Sequence, residues 1–560
     1  MDETTARAGT GGVRQVVAVL GVMTLAGLLR LGWLNEFPDG VNHDELSNIY
    51  DGLSIAETGA DRSGRRWPIL CYGFGPADNR PALFAWLCAG ISRWTGFSVA
   101  GCRAISSVIG LASVALVGVW ARRVLGLGGG VLAMLIVCVS PWHVLFSRMA
   151  HEGMAPPGLF CVAIVLSLRH AALGAWACSG RVVPWILAGM IIGVSTNAYG
   201  ATRLTGLLFA VLAAVQLAVI GLWGRLAPRR VVLIFLLLVP SVLAGASPQV
   251  YAVLTDAEGF LARSAVLRFH AHGWYDAVAT FLVNVSANLD PRYLFLRMDT
   301  EDEVSLVRCS VAALPFFYAG ALALLWPRTR WTWVDRSLLL AGVLICISPA
   351  AVTRTNPHAL RASGCAVLFP MISALGVVQA GRCVSGVIGV RLCSWERCRQ
   401  LTRIGGFVMG VIFLATGVCY VVRYVRSEEF QRYQQQPEWV ALGRWLGKWT
   451  DSFDRVYVAP TGNGWDLYVA AFGGMRPSEF QSADREVWGR YNEYCVRLNR
   501  YYFADRKAAL RAWQDSRRDE QWLIVDSWST RVTELSPAGT REGRRLESGI
   551  RTRQGHSIRD

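Results

Sequence analysis

Residues 15–34 read QVVAVLGVMTLAGLLRLGWL, and seven positions later residues 41–46 read VNHDEL. The first stretch is an apolar run long enough to cross the hydrocarbon core of a bilayer as a helix. The second places two carboxylates just beyond its end. Runs of the first kind recur at about 103–123, 130–147, 154–173, 183–199, 203–222, 230–247, 308–327, 337–352, 361–379 and 404–424, which with 15–34 makes eleven. Arg7 and Arg14 precede the opening run and no small-residue cleavage site follows it, so it reads as an uncleaved signal anchor.

The composition agrees with this reading. The 560 residues are 53% hydrophobic and 17% charged, and the mean hydropathy is +0.34. A soluble chain carries about a quarter charged residues. A soluble enzyme, a disordered chain and a secreted disulfide scaffold are excluded. The expected fold class is a polytopic α-helical membrane protein of about eleven transmembrane helices with a small C-terminal extracytoplasmic α/β domain. The net charge of +16 would suggest nucleic acid in a soluble protein. Here the basic residues sit in short loops, where they set orientation instead; no nucleic-acid partner is expected. The 14 cysteines form no evenly spaced framework. Cys383, Cys393 and Cys398 share a loop without histidine at irregular spacing, which is a poor zinc pattern.

The stretch 81–94 is too short for an ordinary span. If it does not cross and the N-terminus is cytoplasmic, every cytoplasmic loop is basic: Arg122 and Arg123, Arg169 and Arg181, Arg225 to Arg230, Arg328 to Arg336, Arg382 to Arg403. If it crosses, the pattern inverts. It is therefore expected as a re-entrant or surface helix in the outer interface. Outer loops at about 35–102 and 248–306 follow, in a transmembrane domain of 1–424. The region 425–535 is the expected extracytoplasmic α/β domain, with strands at 455–459 and 522–525 and helices at 439–449 and 508–513. Residues 536–560 read as a basic, disordered tail.

None of the eleven stretches contains Asp or Glu, which argues against a proton- or ion-coupled carrier. The acidic residues that can do chemistry lie just past the outer ends of helices. After Val41, Leu46, Ile49, Tyr50 and Leu53 recur at helical spacing. Asn42 fits the N-cap, Glu45 the capping-box position and Gly59 the terminator. Asp44 is not needed for the cap. A carboxylate held ionised in a first helical turn can act as a general base toward a hydroxyl or amine. Arg80, before the interfacial helix, is at headgroup height, where a guanidinium can fork onto a phosphate.

Further outer-edge motifs are Pro141-Trp142-His143, Arg148 and His151-Glu152. Glu152 and His151 with Asp44 can split acid and base roles or bind a divalent cation. Asp290-Pro291-Arg292-Tyr293-Leu294-Phe295 lies in the second outer loop. Arg354, Asn356-Pro357-His358 and Arg361 lie between the ninth and tenth stretches. The two arginines and the histidine break the positive-inside trend, which suggests an anionic partner such as a lipid phosphate. Cys71 and Cys495 are both placed outside, where a disulfide between them is permitted.

Asp44-Glu45 after the first span, Arg80-Pro81 before an interfacial helix, and Pro-Trp-His…Arg…His-Glu at a helix boundary resemble the GT-C glycosyltransferases. The Asn-Pro-His-Ala-Leu-Arg and Asp-Pro-Arg-Tyr-Leu-Phe stretches are similar to the bacterial relatives of the protein O-mannosyltransferases and of the aminoarabinose transferase that modifies lipid A. The resemblance covers about 35–380. It implies an inverting transferase; the expected location is the cytoplasmic (inner) membrane, with the N-terminus placed in the cytoplasm by the basic loops. The enzyme would take a sugar from a polyprenyl-phosphate carrier on the outer face and pass it to a lipid, glycan or protein acceptor. By the same resemblance Asp44 matches the catalytic carboxylate, with Glu45 beside it, and Glu152 the acidic position of the second outer loop. Arg80, and more weakly Arg361, match positions that meet the carrier phosphate; His151, His358 and Arg354 join them as substrate-binding candidates. The 248–306 loop is short for the β-trefoil of the eukaryotic mannosyltransferases, so a protein is not singled out among these acceptors. Metal dependence varies across the superfamily. The other readings are an O-antigen-ligase-type glycan transferase and a non-enzymatic lipid-linked-sugar flippase; the latter needs a polar path that the spans do not offer.

Overall fold

The computed structural model describes residues 3–545 apart from 155–156, 159–182, 224–226, 297–306, 327–332, 392–394, 428–435, 460–463, 489–493, 516–519, 527–530 and the single positions 76, 450, 452, 505, 537 and 538. Two compact units result. The first is Met1–Leu34, Arg103–Ala257 and Leu267–Ser427; the second is Asn35–Cys102, Glu258–Val266 and Glu428–Asp560. The first outer loop is thus grouped with the C-terminal region, not with the spans that flank it in sequence.

The chain opens with α1 (Glu3–Leu31), then α2 (His43–Thr58), the hairpin β1 (Leu70–Tyr72) and β2 (Asn79–Pro81), and α3 (Leu83–Thr95). Next is α4 (Val99–Cys138), which is two helices joined at Gly126. The φ of 78° and ψ of 178° at that position are open only to glycine. The helical stretch expected over 130–147 stops at Cys138, and α5 (Pro141–Phe146) is a separate short helix. Pro141 has no N–H to continue the ladder and its ring would clash with the preceding turn. The span expected at 154–173 falls almost wholly outside the described residues.

Then come α6 (Val183–Ser195), α7 (Gly200–Leu222), α8 (Pro228–Gly245), α9 (Ser247–Thr255), α10 (Ala257–Leu267), α11 (Trp274–Asn288), α12 (Pro291–Phe295), α13 (Leu314–Leu325), α14 (Trp333–Ala351), α15 (Cys365–Arg391) and α16 (Trp395–Val425). Among the described residues six helices are long and apolar enough to cross a membrane, and Val16–Leu31, Trp185–Ser195 and Val311–Leu325 are shorter apolar helices. Several of these helices start earlier than the apolar pattern suggested. As a result α14 contains the buried Asp335 and α16 contains Glu396 in its opening turn. The statement that the spans lack acidic residues therefore holds for the apolar runs but not for the helices that contain them. The first unit packs its helices closely through small residues. A Cβ on Gly320 or Gly376 would run into the backbone of the facing helix, so α13 and α15 approach at backbone distance.

In the second unit, α17 (Pro437–Trp449), β3 (Arg455–Ala459), α18 (Trp465–Gly473), α19 (Pro477–Gln481), β4 (Arg485–Trp488), β5 (Tyr494–Leu498), β6 (Tyr501–Phe503), α20 (Arg506–Asp515), β7 (Trp522–Asp526), β8 (Arg531–Ser536) and β9 (Gly539–Arg545) follow. The strands form one seven-stranded sheet in the order β4-β5-β6-β3-β7-β8-β9. Its centre, β6-β3-β7, is parallel. Val456, Tyr457 and Val458 on β3 and Leu523, Ile524 and Val525 on β7 are all buried, in three consecutive register pairs. That is the pattern of parallel strands covered on both faces. Residues 539–545, expected to begin a disordered tail, pair with β8 instead. The backbone ladder supplies this order, and a charged composition does not register it. Cys71 and Cys495 are both free and buried. Cys71 packs with Ile55, Ala82 and Ala85, so the pairing allowed from sequence does not form.

Candidate active site

In the second unit the site is built from α2 outward. Asn42 caps the helix by accepting from the Asp44 N–H at 2.9 Å, and Gly59 ends it at φ 72°. Gly52 lets α3 approach, since a Cβ there would fall 2.5 Å from the Cys88 Cβ. Of the two adjacent carboxylates, Glu45 is fully buried, whereas the Asp44 side chain keeps 31% of its exposure. Arg80, delivered by β2, is buried and places Nη1 3.7 Å from Asp44 Oδ1. His43 Nε2 lies 4.0 Å from the same oxygen.

Three residues that sequence reasoning missed complete this cluster. Asp51 is buried, with Oδ2 2.5 Å from Arg62 Nη1 and 3.9 Å from Arg80 Nη2. Its Oδ1 accepts from the Arg62 backbone N–H at 3.1 Å. Ser47 Oγ accepts from both Arg62 and Arg80, and Arg62 also donates to the Gly73 carbonyl. Both guanidinium groups face the Phe74 ring, at 5.5 and 5.6 Å. Burial pushes the Asp51 carboxyl up to about 6, against the opposite pull of Arg62. A signal for two of the three was present: Asp44, Ser47 and Asp51 stand at i, i+3 and i+7 on one helix face.

The C-terminal half of this unit holds both ends of α2. Tyr468, fully buried, donates to the Val41 carbonyl at 2.5 Å, just ahead of the Asn42 cap. Gln481 Nε2 donates to Ser54 Oγ, Thr58 Oγ1 and the Asp61 carbonyl at 2.9–3.0 Å. A Cβ on Gly464, which stands at φ 82°, would lie 3.1 Å from the Phe74 ring and 3.8 Å from the His43 Cβ.

In the first unit the remaining candidates form a separate group. His151 and Glu152 are buried, with Nδ1 of the first 3.5 Å from Oε2 of the second. His151 Nδ1 accepts from the Gly153 N–H at 3.1 Å. Gly153 itself lies against the Leu360 side chain, beside Arg361. Arg361 Nη1 donates to Thr353 Oγ1 at 2.8 Å and Thr355 Oγ1 at 3.0 Å. Arg354 is exposed, and His358 half-buried. The neighbouring Asn356 is held by Asn288 and by the Asn284 carbonyl. Among the described residues no group of three or more His, Cys, Asp or Glu is placed to hold a metal ion.

Two motifs resolve into structural parts. His143 Nδ1 accepts from Arg30 Nη2 at 2.8 Å, and Arg30 also donates to the Val137 and Cys138 carbonyls. Arg148 donates to the Leu29 and Gly32 carbonyls at 2.7 Å, and Arg103 to the Leu34 carbonyl at 2.8 Å. Arg148 and Arg103 satisfy carbonyls at and just past the end of α1, at the negative pole of its dipole, and Arg30 satisfies the last carbonyls of α4. Asp290 caps α12 through the Arg292 N–H and pairs with the Arg292 side chain, which lowers its carboxyl below the usual range.

No protein-family model and no curated protein matches the chain. Solved structures do. ArnT from Cupriavidus metallidurans bound to undecaprenyl phosphate aligns at a TM-score of 0.56 and 12% identity, over 92% of this chain and 93% of that one. The same protein in the apo state aligns at 0.51 and 14%, over 94% of each. AglB, an oligosaccharyltransferase from Archaeoglobus fulgidus in complex with an inhibitory peptide and a dolichol-phosphate, aligns at 0.51 and 12% over 83% of this chain. This chain spans 64% of AglB. Shared architecture at so little identity means that the likeness lies in the backbone: the chain has the fold of these ArnT and AglB structures.

Proposed function

We propose that the chain is an inverting glycosyltransferase that moves a sugar from a polyprenyl-phosphate carrier to an acceptor hydroxyl or amine at the outer face of the cytoplasmic membrane. In this reading the chain crosses eleven times, with its N-terminus in the cytoplasm and its C-terminal region outside. The observation that carries the proposal is a partly exposed carboxylate in the first turn of α2, Asp44, with the buried Arg80 guanidinium 3.7 Å away. A base and a phosphate-matching cation in one place are what glycosyl transfer from a lipid phosphate requires. The fold supports it, because ArnT and AglB are solved with undecaprenyl phosphate and with dolichol-phosphate.

Asp44 takes the proton of the acceptor. The acceptor oxygen or nitrogen attacks the anomeric carbon opposite the carrier. The bond from that carbon to the phosphate oxygen breaks, and its electron pair leaves on the phosphate, whose charge Arg80 meets. Glu45 supports the start of the helix beside Asp44. His151 and Glu152 are a second acid–base pair, and Arg361, Arg354 and His358 are a second basic set for the donor or acceptor. The test uses membranes containing the full chain. Incubation with a radiolabelled polyprenyl-monophosphate sugar is expected to move label out of the lipid phase. Transfer from a diphosphate-linked glycan alone would favour a ligase, and loss of label from neither donor would reject the proposal.

A further inference from the structure

We propose that Ser47, Asp51 and Arg62 are a buried positioning set that holds the Arg80 guanidinium ready for the carrier phosphate. This rests on the role given to Arg80 above. Arginine carries large rotamer freedom, on the order of 2 kcal/mol. Arg80 stands 3.7 Å from Asp44, so its simplest resting state would be a closed ion pair with that carboxylate. Such a pair would weaken the base and occupy the cation at once.

The second unit supplies a counterweight. Asp51 Oδ2 lies 3.9 Å from the other terminal nitrogen of Arg80, which shares the guanidinium between two carboxylates. The Ser47 hydroxyl, fully buried, accepts from Arg80 with one lone pair and from Arg62 with the other. Arg62 is itself fixed on three sides: by Asp51 Oδ2, by the Gly73 carbonyl, and through its backbone N–H on Asp51 Oδ1. Phe74 packs against both guanidinium planes. Two arginines and two aspartates balance in charge, so the arrangement orients Arg80 without adding net charge to the site. Because Ser47 and Asp51 ride on the helix that carries Asp44, base and cation are held in one frame.

A purely structural network would show the same contacts, so the test must read coupling. The full chain is purified in detergent and titrated with undecaprenyl phosphate, and its thermal stability is measured in parallel. Ser47→Ala alters no charge; the loss of a hydrogen bond to a charged group is expected to weaken binding about tenfold. Asp51→Asn is expected to weaken it as well, because Arg80 then closes onto Asp44. In an Arg80→Gln background both changes are expected to alter affinity by less than about twofold. The inference is overturned if Arg80→Gln weakens binding while Ser47→Ala and Asp51→Asn do not. It is equally overturned if Asp51→Asn tightens binding, as mere removal of negative charge near an anion would. Equal losses with and without Arg80 would show a structural role only. If Arg80→Gln binds like the wild type, the assignment of Arg80 falls and this inference falls with it.

Discussion

Arg80 and Arg148 read alike in the sequence: each is an arginine beside a helix end, placed by the topology on the outer side. Their surroundings separate them. Arg148 ends on the carbonyls of Leu29, Gly32 and Trp33, and its neighbours Arg30 and Arg103 also end on carbonyls. Arg80 ends on side chains, those of Asp44, Ser47 and Asp51. A guanidinium spent on backbone carbonyls closes a helix. One shared between carboxylates, one of them partly open to solvent, can exchange a partner for a ligand. Arg148 therefore needs no anionic ligand, and α2 is where the proposal puts the chemistry.

The contrast can be broken by exchanging the two arginines' consequences. Arg80→Gln is expected to lower kcat/KM for the labelled donor by about 10²- to 10³-fold, the scale for losing one preorganised donor to a developing charge, with little change in Tm. Arg148→Gln is expected to do the reverse. Leaving buried carbonyls without their donor costs about 1–3 kcal/mol, read as a lower Tm with donor KM unchanged. If Arg148→Gln instead raises donor KM at unchanged Tm, the division between the two regions is wrong.

A smaller effect sharpens the same comparison through pH. The Asp51 carboxyl is raised from 3.8 to about 6 in the folded chain. A raised carboxyl contributes stability that is fully present below about pH 4 and is lost as the pH climbs through about 6. Asparagine mimics the protonated form at every pH. The Tm of Asp51→Asn minus that of the wild type should therefore rise between about pH 4 and pH 7. A flat difference would show that Asp51 titrates like an exposed aspartate. The Leu29, Gly32 and Trp33 carbonyls that accept from Arg148 do not titrate, and variants there should show no such window.

What could be read in advance follows from how local each signal is. The Asn42 cap, the Gly59 stop and the apolar face of α2 are spelled within one helix and came out as read. So did the strands expected at 455–459 and 522–525, the second running one residue further, because parallel strands buried on both faces show as short apolar runs. The break between Cys138 and Pro141 was local too, but continuous hydropathy hid it. The grouping of 35–102 with the C-terminal region was not legible. It rests on contacts such as Tyr468 to Val41 and Gln481 to Ser54, each more than 400 residues apart in the chain. Ser47 and Asp51 lay on the stripe of Asp44 and were passed over in favour of the apolar positions between them. Arg62 carried no signal at all, since its role depends on a turn that brings it back beside α2.

Asp44 carries the proposed chemistry, and the most direct measurement is transfer of label from a polyprenyl-monophosphate sugar by Asp44→Asn in membranes. The substitution keeps size and removes the base, so turnover is expected to fall by about 10²- to 10⁴-fold while insertion and Tm stay at wild-type values. Transfer at the wild-type rate by a stably inserted Asp44→Asn protein would contradict it.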